Sequence, residues 1–181
     1  MKVKVCGITD LEFAVQAERL GVDYLGFIFA ASSPRNLTLE RAAAITTSLS
    51  GSARRVGVFV KQTPDEIVRL MRMALLDIVQ LHRRATSDDI AALQAAGYEV
   101  WSLAGGAIGD GVLFDSSHGD GETAFRKGPY KTILAGGVSA ENLSSFMTYD
   151  PDILDVNSSL ETAPGQKSLP LLKAFWAKLR G

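Results

Sequence analysis

The chain has 181 residues, 46% hydrophobic and 22% charged, which is an ordinary globular composition. Its formal net charge of -1 excludes a strong general attraction to nucleic acid or to anionic lipid. The longest apolar stretches are only strand-sized, and the single cysteine excludes an internal disulfide. Without an apolar signal segment, the chain is expected in the cytoplasm, with neither a membrane nor a nucleic acid as partner.

Short runs of β-branched and aromatic residues alternate with helical patterns along the chain. Several of these runs are apolar nearly throughout, as strands buried on both faces of a parallel sheet are. Eight strands are predicted, at residues 3–5, 24–29, 55–59, 78–81, 99–103, 111–115, 132–135 and 153–156.

Helix starts are predicted from capping residues. The run at 63–66, Thr-Pro-Asp-Glu, has a threonine N-cap, proline at the first helical position and glutamate at N3, which together form a capping box. Thr9 and Glu12 show the same spacing, and two more helices are predicted to begin at N-caps Ser87 and Ser139.

Repeated strand-then-helix units predict parallel strands joined by right-handed crossovers. Eight units favour one (β/α)8 TIM barrel domain over residues 1–181, with an open doubly wound sheet as the competing fold. The chain is short for a barrel. The glycine- and alanine-rich segment 104–110 cannot form a covering helix, and 116–128 has little helical period. Helix five is therefore expected to be absent, and helix six to be a stub or a loop.

Polar residues at the carboxyl ends of the predicted strands are the candidates for chemistry, because these ends meet at one rim of a parallel barrel. They include Cys6, Arg35, Gln80, His82, Asp115, Gly136, Gly137, Ser158 and Ser159.

A phosphate site is predicted at the loops after strands seven and eight. Gly136 and Gly137 lie between a strand and a helix, where glycine lets the backbone approach an anion. Ser158 and Ser159 follow strand eight in the matching loop. The alternative is that the glycine pair simply forms a tight turn.

Three further residues have both a functional and a structural interpretation. Asp115 follows three apolar residues, a setting suited to proton donation, but it could also cap a loop. The thiol of Cys6 could act as a base if the following helix N-terminus lowers its pKa, or it could be a small buried hydrophobe. Arg35 could grip a carboxylate or a phosphate, or be solvated.

The motifs in order resemble those of the phosphoribosylanthranilate isomerase family of tryptophan biosynthesis. The opening signature is Lys4-Val5-Cys6-Gly7-Ile8-Thr9. Later matches cover nearly the whole chain and include Gly26-Phe27-Ile28-Phe29, Ser33-Pro34-Arg35, Val79-Gln80-Leu81-His82, Leu113-Phe114-Asp115, Leu134-Ala135-Gly136-Gly137, Asp155-Val156-Asn157-Ser158, Glu161 and Pro164-Gly165 with Lys167. The chain would be a short member of this family that lacks helix five.

The resemblance implies an Amadori rearrangement of N-(5-phosphoribosyl)anthranilate without a metal or an organic cofactor. Asp115 matches the family's general acid, and Cys6 matches its general base. Arg35 matches the residue that grips the anthranilate carboxylate. Gly136, Gly137, Ser158 and Ser159 would hold the phosphate, while Gln80 and His82 would line the site. The partner is then a small phosphosugar, and the protein a monomer or a homodimer.

Some residues depart from the family pattern. Arg83 and Ser159 stand where the family usually has glycine, and the glycine-rich stretch after the acid survives only as Gly119, Gly121 and Thr123. Arg83 and Ser159 leave open a related sugar-phosphate isomerase with altered specificity. A phosphosugar-binding barrel without catalysis is the other alternative.

Overall fold

Eight parallel strands close into a barrel in the computed structural model, which describes residues 1–116 and 125–181. The strands are β1 (Lys2–Val5), β2 (Tyr24–Phe29), β3 (Arg54–Phe59), β4 (Ile78–Leu81), β5 (Glu99–Leu103), β6 (Gly111–Asp115), β7 (Lys131–Ala135) and β8 (Ile153–Val156). Pairing of β1 with β8, with Lys4 opposite Asp155, closes the barrel. The barrel prediction is confirmed and the open sheet is wrong. Three strands begin one residue earlier than predicted.

Six helices lie among the described residues, and most of them cover the outside of the barrel. They are α1 (Leu11–Leu20), α2 (Leu39–Ser48), α3 (Pro64–Met73), α4 (Ser87–Ala95), α5 (Leu143–Met147) and α6 (Leu169–Arg180). No helix joins β5 to β6, as predicted for residues 104–110. The segment expected to hold a reduced helix six falls largely on 117–124, outside the described residues; 125–130 contain no helix. No helix in 1–116 or 125–181 has both the length and the apolar character needed to cross a bilayer.

The capping predictions succeed for α3 and fail for three other helices. The box at Thr63 and Glu66 is present. At α1 the N-cap is Asp10, whose Oδ1 accepts from the Phe13 N–H at 2.8 Å. Thr9 is not a cap, because its hydroxyl instead donates to the carbonyl of Gly165 at 2.9 Å. The predicted box of Thr9 and Glu12 is therefore wrong.

The other two starts shift by one and three residues. Helix α4 is capped by Thr86, which forms a capping box with Asp89, so Ser87 is already the first helical residue. The N-cap of α5 is Asn142. The backbone N–H of Ser139 donates to Asn142 Oδ1 at 2.8 Å, so Ser139 belongs to the preceding turn.

Alternation along the strands separates two apolar clusters, because successive strand residues face opposite sides of the sheet. Outward residues such as Phe27 and Leu81 pack beneath the helices. Inward residues such as Val56, Ile78 and Trp101 fill the barrel. Apolar packing thus fills the barrel interior, and a cavity lined by strand ends opens at the carboxyl ends of the strands.

A hairpin that the sequence did not predict follows β8. A 3-10 turn at Ser158–Leu160 leads into antiparallel β9 (Glu161–Ala163) and β10 (Gln166–Lys167). Gly165, at a φ of +82°, lies so close to the loop after β2 that a Cβ there would be 2.8 Å from the Pro34 carbonyl oxygen. The hairpin therefore braces the loops after β1 and β2 at the barrel mouth, where the carboxyl ends of the strands meet.

Candidate active site

A cavity of about 360 Å³ opens at the barrel mouth, a volume within the range of small-molecule sites. Among the described residues, its lining includes eight of the nine predicted site residues: Cys6, Arg35, Gln80, His82, Asp115, Gly136, Gly137 and Ser158. The ninth, Ser159, does not line it. The fold therefore brings together side chains that are up to 152 positions apart in sequence.

Cys6 lies at the end of β1 with its side chain turned into the barrel, and it is only 5% exposed. Gly7 follows at a φ of +73°, and a Cβ on it would lie 2.6 Å from Arg35 Cδ. Glycine there lets the Arg35 side chain pass close to the backbone that follows Cys6. Burial raises the pKa of the Cys6 thiol, while the charge of Lys4 opposes that rise. The pKa of Cys6 is raised overall, so the lowering expected from the following helix N-terminus is wrong.

Asp115 ends β6, and its side chain is 8% exposed. His82, just beyond β4, lies with Nε2 at 3.5 Å from Asp115 Oδ2. The contact joins two predicted site residues whose strands are separated by β5. The imidazole can hold the carboxyl in place.

Two buried acceptor oxygens beside the cavity have no hydrogen-bond partner among the described residues. They are Gln80 Oε1 and Asp155 Oδ1, on side chains belonging to residues that are 1% and 7% exposed. A buried polar atom without a partner is costly, and such atoms occur where a ligand or water satisfies them. Both acceptors are therefore available to hydroxyl or N–H donors of a bound molecule.

Arg35 is held by Glu161, a residue that the sequence analysis named only as part of the family resemblance. Its Nε and Nη2 donate to the two carboxylate oxygens of Glu161 at 2.8 and 2.6 Å. This pairing raises the pKa of Arg35. Lys167 Nζ also donates to Glu161, at 2.8 Å. The two cations lower the pKa of Glu161 despite its burial. Burial lowers the pKa of Lys167, and this effect exceeds the opposing effect of the Glu161 charge.

Lys4, beneath the cavity, is a buried charge that sequence reasoning missed. It is fully buried, and its Nζ lies 2.6 Å from Asp155 Oδ2. Strand alternation carries the signal that could have found it, because residues two apart share a face and Lys4 precedes Cys6 by two. A lysine pointing into a barrel interior needs a partner and marks a polar layer.

The loop after β7 contains both glycines of the predicted phosphate site. Gly136 and Gly137 have φ angles of +95° and +76°, the left-handed region that favours glycine. Ser158 lines the cavity beside them. Ser159 turns away, and its hydroxyl donates to the Val138 carbonyl at 2.5 Å. It thus ties the loop after β8 to the loop after β7.

Arg83 contributes nothing to the cavity lining. Its Nη1 and Nη2 donate to the carboxylate of Asp89 at 2.7 and 2.9 Å, within the capping box of α4. This departure from the family pattern therefore stabilises a helix start. In the part of the chain that the structure describes, no group of three or more His, Cys, Asp and Glu side chains is arranged to hold a metal ion.

Comparisons with known proteins agree with one another. The family model described as N-(5'-phosphoribosyl)anthranilate isomerase matches residues 3–178. A relative of that name from Rubrobacter xylanophilus is 34% identical, over 96% of each chain. The phosphoribosylanthranilate isomerase of Thermus thermophilus superposes with a TM-score of 0.87 at 37% identity, covering 99% of this chain and 98% of that one.

A further solved relative holds a ligand. It is a phosphoribosylanthranilate isomerase in complex with reduced 1-(o-carboxyphenylamino)-1-deoxyribulose 5-phosphate, 29% identical with a TM-score of 0.85. The match covers 100% of this chain and 99% of that one. Sequence match and fold thus extend over nearly the whole chain, which belongs to the N-(5'-phosphoribosyl)anthranilate isomerase family.

Proposed function

We propose that the chain catalyses the Amadori rearrangement of N-(5-phosphoribosyl)anthranilate to 1-(2-carboxyphenylamino)-1-deoxyribulose 5-phosphate, a step of tryptophan biosynthesis. The observation that carries the proposal is that Cys6 and Asp115 line one cavity at the mouth of a barrel of this family. An aldose-to-ketose shift needs one group that gives a proton and one that takes a proton, and this pair supplies both.

Asp115 acts first, as the general acid. Its carboxyl gives a proton to the furanose ring oxygen as the bond from that oxygen to C1 breaks. The lone pair of the anthranilate nitrogen forms the C1–N double bond, which leaves a protonated Schiff base. The 3.5 Å contact with His82 positions the carboxyl for this transfer.

Cys6 acts second, as the general base. Its thiolate removes the proton from C2, and the electrons of the C2–H bond move to form an enolamine. The enolamine becomes the ketone when C1 gains a proton and the C2 hydroxyl loses one. The cysteine forms no covalent bond with the sugar at any step.

The two ends of the substrate bind on opposite sides of the cavity. Arg35 offers its remaining nitrogen, Nη1, to the anthranilate carboxylate, because Glu161 occupies the other edge of the guanidinium. At the other side of the cavity, Gly136, Gly137 and Ser158 bind the phosphate. Ser159 acts only indirectly, by fixing the two phosphate loops together.

Single residues suffice for this chemistry, so the proposal includes no metal and no organic cofactor. The substrate is a small phosphosugar, and the protein works in the cytoplasm as a monomer or a homodimer of one domain, residues 1–181. The relative solved with a reduced product analogue supports the substrate assignment.

The test is consumption of N-(5-phosphoribosyl)anthranilate, followed by its fluorescence. We expect turnover by the wild-type chain and a loss of about 10²–10⁴-fold in kcat for Cys6→Ser, with the circular dichroism spectrum unchanged. Absence of wild-type turnover combined with tight binding of the reduced product analogue would contradict the proposal. It would indicate a phosphosugar-binding barrel instead.

A further inference from the structure

A buried ion pair lies in the barrel interior directly beneath Cys6. Lys4 and Asp155 face each other across the β1–β8 closure, with Nζ and Oδ2 2.6 Å apart and the lysine fully buried. Removing two charges from water costs several kcal/mol per ion, so a buried pair is weak evidence of a stabilising role. The pair therefore calls for a functional explanation.

Geometry places the lysine beside the cysteine sulfur. Lys4 and Cys6 share the inward face of β1, and Gly26 of β2 lies next to both. A Cβ on Gly26 would be 3.0 Å from Cys6 Sγ and 3.1 Å from Lys4 Cε. The sulfur and the lysine side chain thus flank the same point, in space left by the missing side chain of glycine.

The charges around this point favour a shared cation. Burial lowers the pKa of Lys4, but the negative charges of Asp155 and of the Cys6 thiolate raise it more, so Lys4 stays protonated. For Cys6 the same lysine favours the thiolate and Asp155 opposes it. Asp155 lines the cavity together with Cys6, so both anionic groups are near the place where substrate binds.

We propose that the Lys4 ammonium is the counter-ion of the Cys6 thiolate, and that Asp155 competes with the thiolate for it, so that this pair sets how much of Cys6 is deprotonated when substrate arrives. The proposal rests on the assignment of Cys6 as the general base. Lys4 and Asp155 are positioning residues. When the thiolate takes the C2 proton, Lys4 keeps its own proton and pairs with Asp155 alone.

Other charged groups also face Cys6. Lys167 of β10 favours the thiolate and interacts with it at longer range, and Arg35 lies above it on the loop after β2. Asp115 and His82 line the same cavity from β6 and β4. Lys167 is already engaged, since its Nζ donates to the carbonyl and Oδ1 of Asn157 and to Glu161. Lys4 donates to Asp155 and also interacts directly with the Cys6 side chain, so it is the cation available to the sulfur.

The chain offers a direct readout because Cys6 is its only cysteine. Thiolate absorbance in the ultraviolet and the rate of alkylation by iodoacetamide, each measured against pH without substrate, report this one group. Lys4→Met should raise the pKa of Cys6 and slow alkylation at pH 7 by about tenfold or more. Asp155→Asn should act in the opposite direction and speed alkylation, because the ammonium is then left to the thiolate.

Two further variants guard against folding defects. Lys4→Met leaves Asp155 buried without its cation, so the double variant Lys4→Met/Asp155→Asn removes both charges together. It should still be alkylated more slowly than the wild type, because Lys4 affects the pKa of Cys6 more than Asp155 does. Lys131→Met removes a lysine ion pair at the opposite end of the barrel and should leave the alkylation profile unchanged.

The direction in which Asp155→Asn changes the alkylation rate is the main test of the proposal. Slower alkylation in both single variants, or an unchanged profile in Lys4→Met and in the double variant, would overturn the proposal. In turnover, Lys4→Met should shift the rise of kcat with pH to higher pH, whereas a merely structural role would lower kcat equally at every pH. Because alkylation needs no substrate, a chain without isomerase activity would still give a decisive result.

Discussion

Two glutamates, at opposite ends of the barrel, are each held between an arginine and a lysine. At the base, Glu99 accepts from Arg54 and Lys131, both at 2.6 Å, and from Trp101 Nε1 at 2.7 Å. At the mouth, Glu161 accepts from Arg35 and Lys167. The two clusters share a glutamate, an arginine and a lysine, and they lie in very different surroundings.

The surroundings determine what each cluster can do. The base, at the amino ends of the strands, lies beneath the apolar filling of the barrel and contains none of the predicted site residues, so we assign its pairing to structure. The mouth adjoins a cavity in which Gln80 and Asp155 each keep a buried oxygen unpartnered among the described residues. Arg35 likewise keeps Nη1 outside the pairing with Glu161. The Glu99 carboxylate at the base is thus paired on both oxygens, whereas the mouth keeps hydrogen-bonding groups open toward the cavity.

The largest expected effect is a loss of kcat on substitution of Asp115 at the barrel mouth. Asp115→Asn keeps the shape of the side chain but cannot deliver the proton for ring opening, so kcat should fall by about 10²–10⁴-fold. The matched control is Asp110→Asn, the same change just before the other end of β6, where the carboxylate accepts from the Val100 N–H. Wild-type kcat in Asp115→Asn under steady-state assay would refute its role as the acid.

An intermediate effect is expected from loosening Arg35. Glu161→Gln replaces the charged partner that fixes the guanidinium, so the arginine loses its orientation toward the anthranilate carboxylate. We expect KM to rise roughly tenfold, about 1.4 kcal/mol, with kcat changed much less. Steady-state kinetics beside Glu99→Gln as control test this. An unchanged KM, or equal effects of the two substitutions, would show that the mouth cluster is structural like the base.

The smallest effect on activity, and a pH-dependent effect on stability, is expected at the base. Burial opposes ionisation of Glu99, but hydrogen bonds from Lys131, Arg54 and Trp101 prevail and lower its pKa from 4.5 to about 2. The carboxylate therefore contributes stability above pH 4.5 that is lost as the pH falls toward 2. Because the two cations are partly exposed, we expect a contribution on the order of 1–2 kcal/mol.

Urea unfolding of Glu99→Gln at several pH values measures this contribution. The variant should be less stable than the wild type at pH 7, and the difference should shrink as the pH falls from 4.5 toward 2. Its kcat should stay within about twofold of wild type, since no substrate group lies at the base. A difference in unfolding free energy that does not depend on pH would assign the loss to packing instead.

Local sequence patterns predicted much of the barrel. Apolar runs located all eight strands, and the glycines of 104–110 predicted the absence of helix five. Helix starts were less predictable, because several residues nearby can cap. Thr9 has the right type and spacing for a cap, but the distant carbonyl of Gly165 takes its hydroxyl, and Asp10 caps α1.

Candidate site residues followed from the same logic, since strand ends can be read from the sequence. Their partners could not be predicted in this way. The hairpin after β8 brings Glu161 to Arg35 across 126 positions, and barrel closure brings Asp155 to Lys4 across 151. No local sequence pattern predicts either of these two contacts.

The sequence by itself thus determined which residues end the strands, and with them the thiol, the carboxyl, the arginine and the glycine pair of the candidate site. Only the tertiary structure decided which polar and charged side chains lie together: Lys4 with Asp155 beneath Cys6, His82 beside Asp115, and Glu161 between two cations. The physical reason is that strand patterns depend on near neighbours, whereas electrostatic coupling depends on distance and burial, which exist only after the barrel has closed.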